Sequence, residues 1–196
     1  MQKSINFKGA KLSRTTVKNN IIKVFNQSLK DEHFDWYSDT NAFTKTVATT
    51  HKIRMDKVAG IISALSPLKE WNKNKEIAVD LITTRKCGHT KVMVKKALDI
   101  MDNNLNSSQT MGVLNGNKIS AFFMNISEPT NPNHVTVDRH AIAVALGRNA
   151  TDKEQQLSDN QYKFFEDAYI WTALQLGLRP SLLQSITWVA WKRIKK

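Results

Sequence analysis

The 196-residue chain is long enough to bury one compact core, and it carries 29 Lys and Arg against 17 Asp and Glu, a net charge of +12. That excess favours a polyanionic partner, because each phosphate neutralised by Lys or Arg releases a condensed counterion. A lone cysteine, Cys87, excludes an internal disulfide and any cysteine-ligated zinc or iron–sulfur centre, and no run of about eighteen apolar residues is present to span a membrane.

The five histidines show no metal-ligand spacing, and the first residues lack the apolar stretch of a secretory signal. The expectation is therefore a monomer of a reducing cytoplasm, without metal or other cofactor and without a membrane partner.

Helical periodicity dominates and no strand alternation persists, so the predicted fold class is all-α. Taken in order, a helix over 15–29 places Val17, Ile21, Ile22, Val24 and Phe25 largely on one face. A second is expected over 41–50, capped by Asp39 or Thr40. A strongly apolar third, 56–65, stops at Pro67, because the residue before a proline is pushed out of helical geometry. Helices follow over 72–84 and 90–101, and then a polar loop is expected over 102–109. Helices over 118–126, 138–146, 161–176 and 181–194 complete the set, with Pro180 in a favourable first-turn position. Absence of repeats and of a low-complexity linker predicts one helical domain over 1–196. Within it, 1–54 reads as an N-terminal helical extension, 55–147 as a central segment, and 148–196 as C-terminal helices packed on that segment.

Two segments carry most of the information. Val113-Leu114-Asn115-Gly116-Asn117-Lys118 reads as a tight turn into an apolar helix. Gly116 can bring the backbone close to a phosphate, and the helix start adds its dipole. Val135-Thr136-Val137-Asp138-Arg139-His140 then leads into a second apolar helix that ends at Leu146-Gly147, with Asp138 twenty residues after Lys118. An aspartate at a helix start is a good N-cap, and a carboxylate beside a sugar stabilises developing positive charge or activates a nucleophile; both readings stand.

Together these segments resemble the active-site region of the helix-hairpin-helix, endonuclease III-like DNA base-excision glycosylases. That family's turn has two glycines before the lysine; Gly116 matches the second, and Leu114 stands at the first. The pattern Asp, any residue, His, apolar positions, Leu-Gly is reproduced by Asp138–Gly147. The resemblance continues upstream through Ala64-Leu65-Ser66-Pro67 and Asn72, and covers about 55–147. The segments Trp36-Tyr37, Ala64-Leu65-Ser66-Pro67, Val137-Asp138-Arg139-His140 and Gln184-Ser185-Ile186-Thr187-Trp188 also resemble those of small bacteriophage proteins, which would place the chain in a bacterial host cell.

The resemblance implies a helical glycosylase-like domain, free of an iron–sulfur cluster, that flips a damaged or modified base out of duplex DNA and cleaves its N-glycosidic bond. Asp138 would stabilise the charge on the sugar. Lys118 would be either a Schiff-base nucleophile that also cuts the strand or a phosphate contact. Gly116, Asn117, Lys118, Arg139 and His140 would grip DNA, Leu68 or Trp71 would wedge into the duplex, and Gln184 and Trp188 would hydrogen-bond and stack the flipped base. Trp71 reads equally well as a core aromatic, and Trp171, Trp188 and Trp191, at helical spacings, read more readily as core than as ligand contacts. The rival readings are an N-glycosidase of free nucleotides or nucleosides and a DNA-binding module without chemistry.

Overall fold

In a computed structural model that describes residues 2–195, the chain is mostly helical. Among the described residues it forms eleven α-helices, one 3₁₀ turn and one two-stranded antiparallel sheet. The residues pack as two units. One runs to Tyr37 and resumes at Thr130; the other is Ser38–Pro129. The boundaries therefore fall at 37/38 and 129/130, whereas the sequence reading divides the chain at 54 and 147.

The first unit opens with strands that an all-α reading omits. β1 (Ser4–Phe7) pairs with β2 (Ala10–Ser13) in the register Ser4 to Ser13 and Phe7 to Ala10. Lys8 (φ 51°) and Gly9 (φ 92°) make the turn, two consecutive left-handed residues that match the twist of a two-residue hairpin. Four-residue strands are too short to set up a visible alternation. What holds them is tertiary: buried Phe7 meets Phe165 edge to face at 5.2 Å.

Ser13 caps α1 (Arg14–Asn26), its hydroxyl accepting from the Thr16 N–H. A 3₁₀ turn, Lys30–Glu32, precedes α2 (Trp36–His51), which begins five residues before the predicted start. Asp39 and Thr40 thus lie inside the helix instead of capping it. Further along the first unit come α8 (Arg139–Leu146), the short α9 (Asp152–Gln155), α10 (Asp159–Gln175) and α11 (Pro180–Ile194). Helices α1, α8, α10 and α11 pack against one another. Val17, Ile21, Phe165, Tyr169, Leu183, Ile186 and Ala190 fill the space between them, each buried.

The second unit is built around α3 (Met55–Leu65), on which α4 (Trp71–Thr84), α5 (Lys91–Asp102), α6 (Ser107–Leu114) and α7 (Asn117–Ser127) pack. Every residue of α3 from Val58 to Leu65 is buried, so the apolar run is a central helix, not an amphipathic one. Gly60 sets the closeness of this packing. A Cβ there would lie 2.9 Å from Ile100 Cγ2 and 3.0 Å from Thr110 Cγ2. Asn41 of α2 donates to the Ile126 and Ser127 carbonyls at the end of α7, at 2.8 and 3.2 Å.

Helix α6 occupies part of the expected polar loop. Its cap, Asn106, and Gln109 form a reciprocal capping box, a local signal strong enough to start a helix in a polar stretch. Thr151 with Glu154 does the same for α9.

Glu154 is also the most strongly perturbed carboxylate. The Arg148 guanidinium grips it with two bonds of 2.9 and 2.7 Å, and Thr151 adds more, holding its carboxyl down at about 2 from the ordinary 4.5. A depressed carboxylate contributes stability above its unfolded pKa and loses it as the pH falls through the folded one. Arg148 is half exposed, so Arg148→Ala is expected to cost only about 1–2 kcal/mol at pH 7. In urea titrations this difference should shrink progressively between pH 4.5 and pH 2; a difference independent of pH would contradict the pairing.

Candidate active site

Asp138 is positioned from three directions. The segment before it, residues 135–137, is irregular, with the Asp138 N–H turned back onto the Thr136 carbonyl (3.0 Å), and is bonded to α10. Tyr162 of α10 donates its hydroxyl to the Val135 carbonyl (2.8 Å) and accepts from the Val137 N–H (3.1 Å). The Glu166 carboxylate accepts from the Val135 N–H at 3.2 Å. Behind the site, Tyr169 donates to the Ala141 carbonyl of α8 at 3.1 Å. Burial pushes both phenols well above the usual tyrosine range, so both remain protonated donors.

Asp138 itself is the N-cap of α8. Its Oδ1 accepts from the His140 N–H at 2.9 Å and the Ala141 N–H at 2.8 Å. The second oxygen, Oδ2, turns away from the cap and accepts from the indole N–H of Trp188 on α11 at 3.1 Å. One carboxylate therefore does two jobs. Oδ1 is committed to the helix, while half-buried Oδ2 keeps a lone pair beyond its single indole donor.

Around it stands a small aromatic and cationic frame. His140 meets the Trp188 ring edge to face at 5.7 Å, and the Lys192 ammonium sits 4.2 Å from the centroid of the same ring. Burial pushes the His140 imidazole below its usual range. Arg139 and Lys192 act in the same direction and Asp138 opposes them, so the ring is neutral at pH 7. Arg139 is exposed and reaches back to His140 Nε2 at 3.4 Å.

Asp138, Arg139, His140 and Trp188 thus come together as the sequence reading expects, but with Trp188 as a donor to the carboxylate. Gln184, four residues before Trp188, is buried instead and accepts from the Tyr37 hydroxyl at 3.0 Å. Tyr162, Tyr169 and Glu166 were not singled out in the sequence. Here they act through partners more than twenty residues away, which no local pattern reveals.

The other candidate residues belong to the second unit. There, α6 and α7 are joined by Asn115 and Gly116 alone, a tight helical hairpin. Asn115 is left-handed (φ 53°), and Gly116 takes φ 158°, a positive value that side-chain-bearing residues rarely adopt. Asn117 and Lys118 lie exposed in the first turn of α7. Lys118 is exposed, and Phe123 is inside.

Between α3 and α4, Leu68 is fully exposed and held in the left-handed region (φ 60°). That conformation costs a leucine about 1 kcal/mol, and its side chain gains no burial in return. Trp71 is half-buried, edge to face with Phe43 at 6.3 Å and 5.5 Å from the Lys75 ammonium. Among the described residues no group of His, Cys, Asp and Glu side chains is arranged to hold a metal ion, and no helix is long and apolar enough to cross a membrane.

The link between Asp138 and Trp188 is measurable without any substrate. A hydrogen bond to an ionised group is worth about 1.5–3 kcal/mol. A double-mutant cycle of Asp138→Ala and Trp188→Phe by denaturant unfolding is expected to give a coupling of about 1–2 kcal/mol. Additive effects would show that the two side chains are merely neighbours.

Comparison with known proteins assigns a family. The chain belongs to a family of unknown function, DUF7178, whose model matches residues 3–195. No curated protein and no solved structure matches it.

Proposed function

We propose that this member of the DUF7178 family is a DNA glycosylase-like hydrolase that cleaves the N-glycosidic bond of a damaged or modified base. The observation that carries this reading is the divided carboxylate of Asp138. A residue kept only as a helix cap needs one oxygen on the cap amides. Here the other oxygen is aimed elsewhere and held by an indole N–H.

In the reaction, the bond between C1′ and the base nitrogen breaks and the sugar acquires oxocarbenium character. Asp138 Oδ2 lies against that positive charge and stabilises it, or takes the proton of the water that adds to C1′. The base departs with a proton, and the strand stays intact. The indole N–H fixes Oδ2 without neutralising it, which is the preorganisation such a role requires. The +12 charge supplies the attraction to DNA.

The hairpin of the second unit is the phosphate grip. Its bare Gly116 and the N-terminal amides of α7 suit an approaching phosphate, and the exposed Lys118 acts there as a clamp. Leu68, fully exposed at the tip of the hydrogen-bonded Ser66–Lys69 turn, is the residue that inserts into the duplex, because it presents a large apolar side chain to solvent.

Asparagine caps a helix as well as aspartate does, so Asp138→Asn keeps the cap while losing the charge and the acceptor for the Trp188 indole; Trp188→Phe, which loses only that bond, is the control. The variant is expected to fold and to bind duplex DNA at least as tightly as the parent. Its rate of base release, read by mass spectrometry on a panel of modified DNAs, should fall about a hundredfold or more. Full activity would mean that the site lies elsewhere.

For Lys118 the expectation is a clamp. Lys118→Ala should weaken DNA binding severalfold and leave the released product unchanged, and borohydride should trap no covalent adduct on the parent enzyme. A trapped adduct lost in Lys118→Ala would make the lysine a nucleophile and the enzyme a strand-cutting lyase.

A further inference from the structure

The positive charge of this chain is not evenly spread. Residues 1–30 contain seven Lys or Arg and no Asp or Glu, so seven of the twelve net charges sit in less than a sixth of the chain. In the first unit this segment is the β1–β2 hairpin and α1, and the structure fixes the cations in place. Phe7 packs edge to face on Phe165 of α10, pinning the hairpin. The Arg14 N–H donates to the Lys3 carbonyl at 2.9 Å, closing the strand ends onto α1. Lys8 reaches the Gln156 carbonyl at 2.7 Å from the turn.

Strand alternation then sorts the faces. Phe7 is buried toward α10, so Asn6 and its cross-strand partner Lys11 face outward. Arg14 and Lys18, one helical turn apart, both lean over the ring of Trp171, at 4.5 and 4.9 Å from its centroid. Two like charges on one helix face, four residues apart, repel. The indole offsets part of that cost, but among the described residues no carboxylate lies within ion-pair distance of Lys3, Lys11, Arg14 or Lys18. A polyanion supplies what is missing.

We infer that the outer face of the β1–β2 hairpin and the adjoining turn of α1 form a phosphate-backbone-binding surface for duplex DNA, distinct from the Asp138 site. At about 3.3 Å per strand residue, Lys11 lies about 10 Å along β2 from Arg14. Lys18 is about 6 Å further along α1. The row spans roughly 15 Å, over which one DNA strand presents four or five phosphates. Among the cations, the exposed side chain of Asn6 can hydrogen-bond a phosphate oxygen. The exposed large apolar side chains of the protein, Leu29, Phe34, Leu68, Val92 and Leu174, all lie outside this row, so it has no means of inserting into a bilayer. The inference shares with the proposed function only the identity of the polyanion; it needs no catalysis.

The test compares two triple variants of the full chain on an unmodified 25-base-pair duplex, across a salt series. One carries Lys3→Gln, Lys11→Gln and Lys18→Gln. The control carries Lys52→Gln, Lys86→Gln and Lys91→Gln, the same loss of charge at exposed positions of the second unit. All six side chains are exposed or half-exposed, and a thermal melt confirms folding.

The hairpin variant is expected to lose about tenfold or more in affinity at 0.1 M salt. Its slope of log affinity against log salt should flatten by about 2.7, since each of the three lost phosphate contacts contributes roughly 0.9. The control should stay within twofold of the parent in affinity. Equal effects of the two triples would overturn the surface. So would a parent chain that binds vesicles of anionic phospholipid but not the duplex. A parent that binds neither would sink this surface and the DNA reading together. If the parent binds the duplex through the hairpin cations but releases no base from any modified DNA, the surface stands and the hydrolase reading fails.

Discussion

The organisation of the first unit depends on one carboxylate used in two directions. Asp138 satisfies the first N–H groups of α8 with Oδ1 and holds the indole of α11 with Oδ2, so a single side chain fixes both the start of one helix and the face of another. The arrangement works only because α10 first sets the backbone. Tyr162 and Glu166 satisfy the polar groups of residues 135–137, and Tyr169 holds the first turn of α8. Without those bonds, a buried irregular segment would leave its amides unpaired, at a cost of about 1–3 kcal/mol each. The carboxylate is thus supported by three helices, α8, α10 and α11, which is how a half-buried charge can be kept in one orientation.

The rest of the fold solves ordinary packing problems by short-range means. Capping boxes start α6, α9 and α10, and Gly60 lets α5 and α6 close on α3. Two local features stand apart from that economy. Leu68 holds a left-handed conformation in full contact with solvent, and Arg14 and Lys18 share one indole with no counter-charge. A chain shaped by stability alone would have replaced the first with glycine or asparagine and interposed an acid between the second pair.

Much of this was legible in the sequence, and the parts that were not have a common cause. The predicted helices lie within a few residues of the observed ones wherever a cap or a proline marks the end, as at Asp138, Gly147 and Pro180. Helix α6 was missed because its apolar content is small, although Asn106 and Gln109 announce it. The β-hairpin was missed because its stability comes from α10, across more than 150 residues of chain. At the site, the Asp138 cap and the neighbouring His140 follow from local spacing. The bond from Trp188 to Asp138 was not legible, since the spacing within α11 says which face a residue is on and not what stands opposite. Gln184 shares that limit, because only the fold brings Tyr37 to it.

The central claim is that Asp138 Oδ2 faces a positive charge developing at C1′ of a nucleotide. It is tested most directly by a duplex in which one sugar is replaced by a pyrrolidine, whose protonated nitrogen occupies the place of that charge. Binding is compared with a duplex carrying an uncharged tetrahydrofuran at the same position. The account predicts that the parent chain prefers the cationic sugar by about a hundredfold or more, as a transition-state mimic requires, and that Asp138→Asn loses the preference while still binding the tetrahydrofuran duplex. Equal affinity of the parent for the two duplexes, or a preference undiminished in Asp138→Asn, would contradict it.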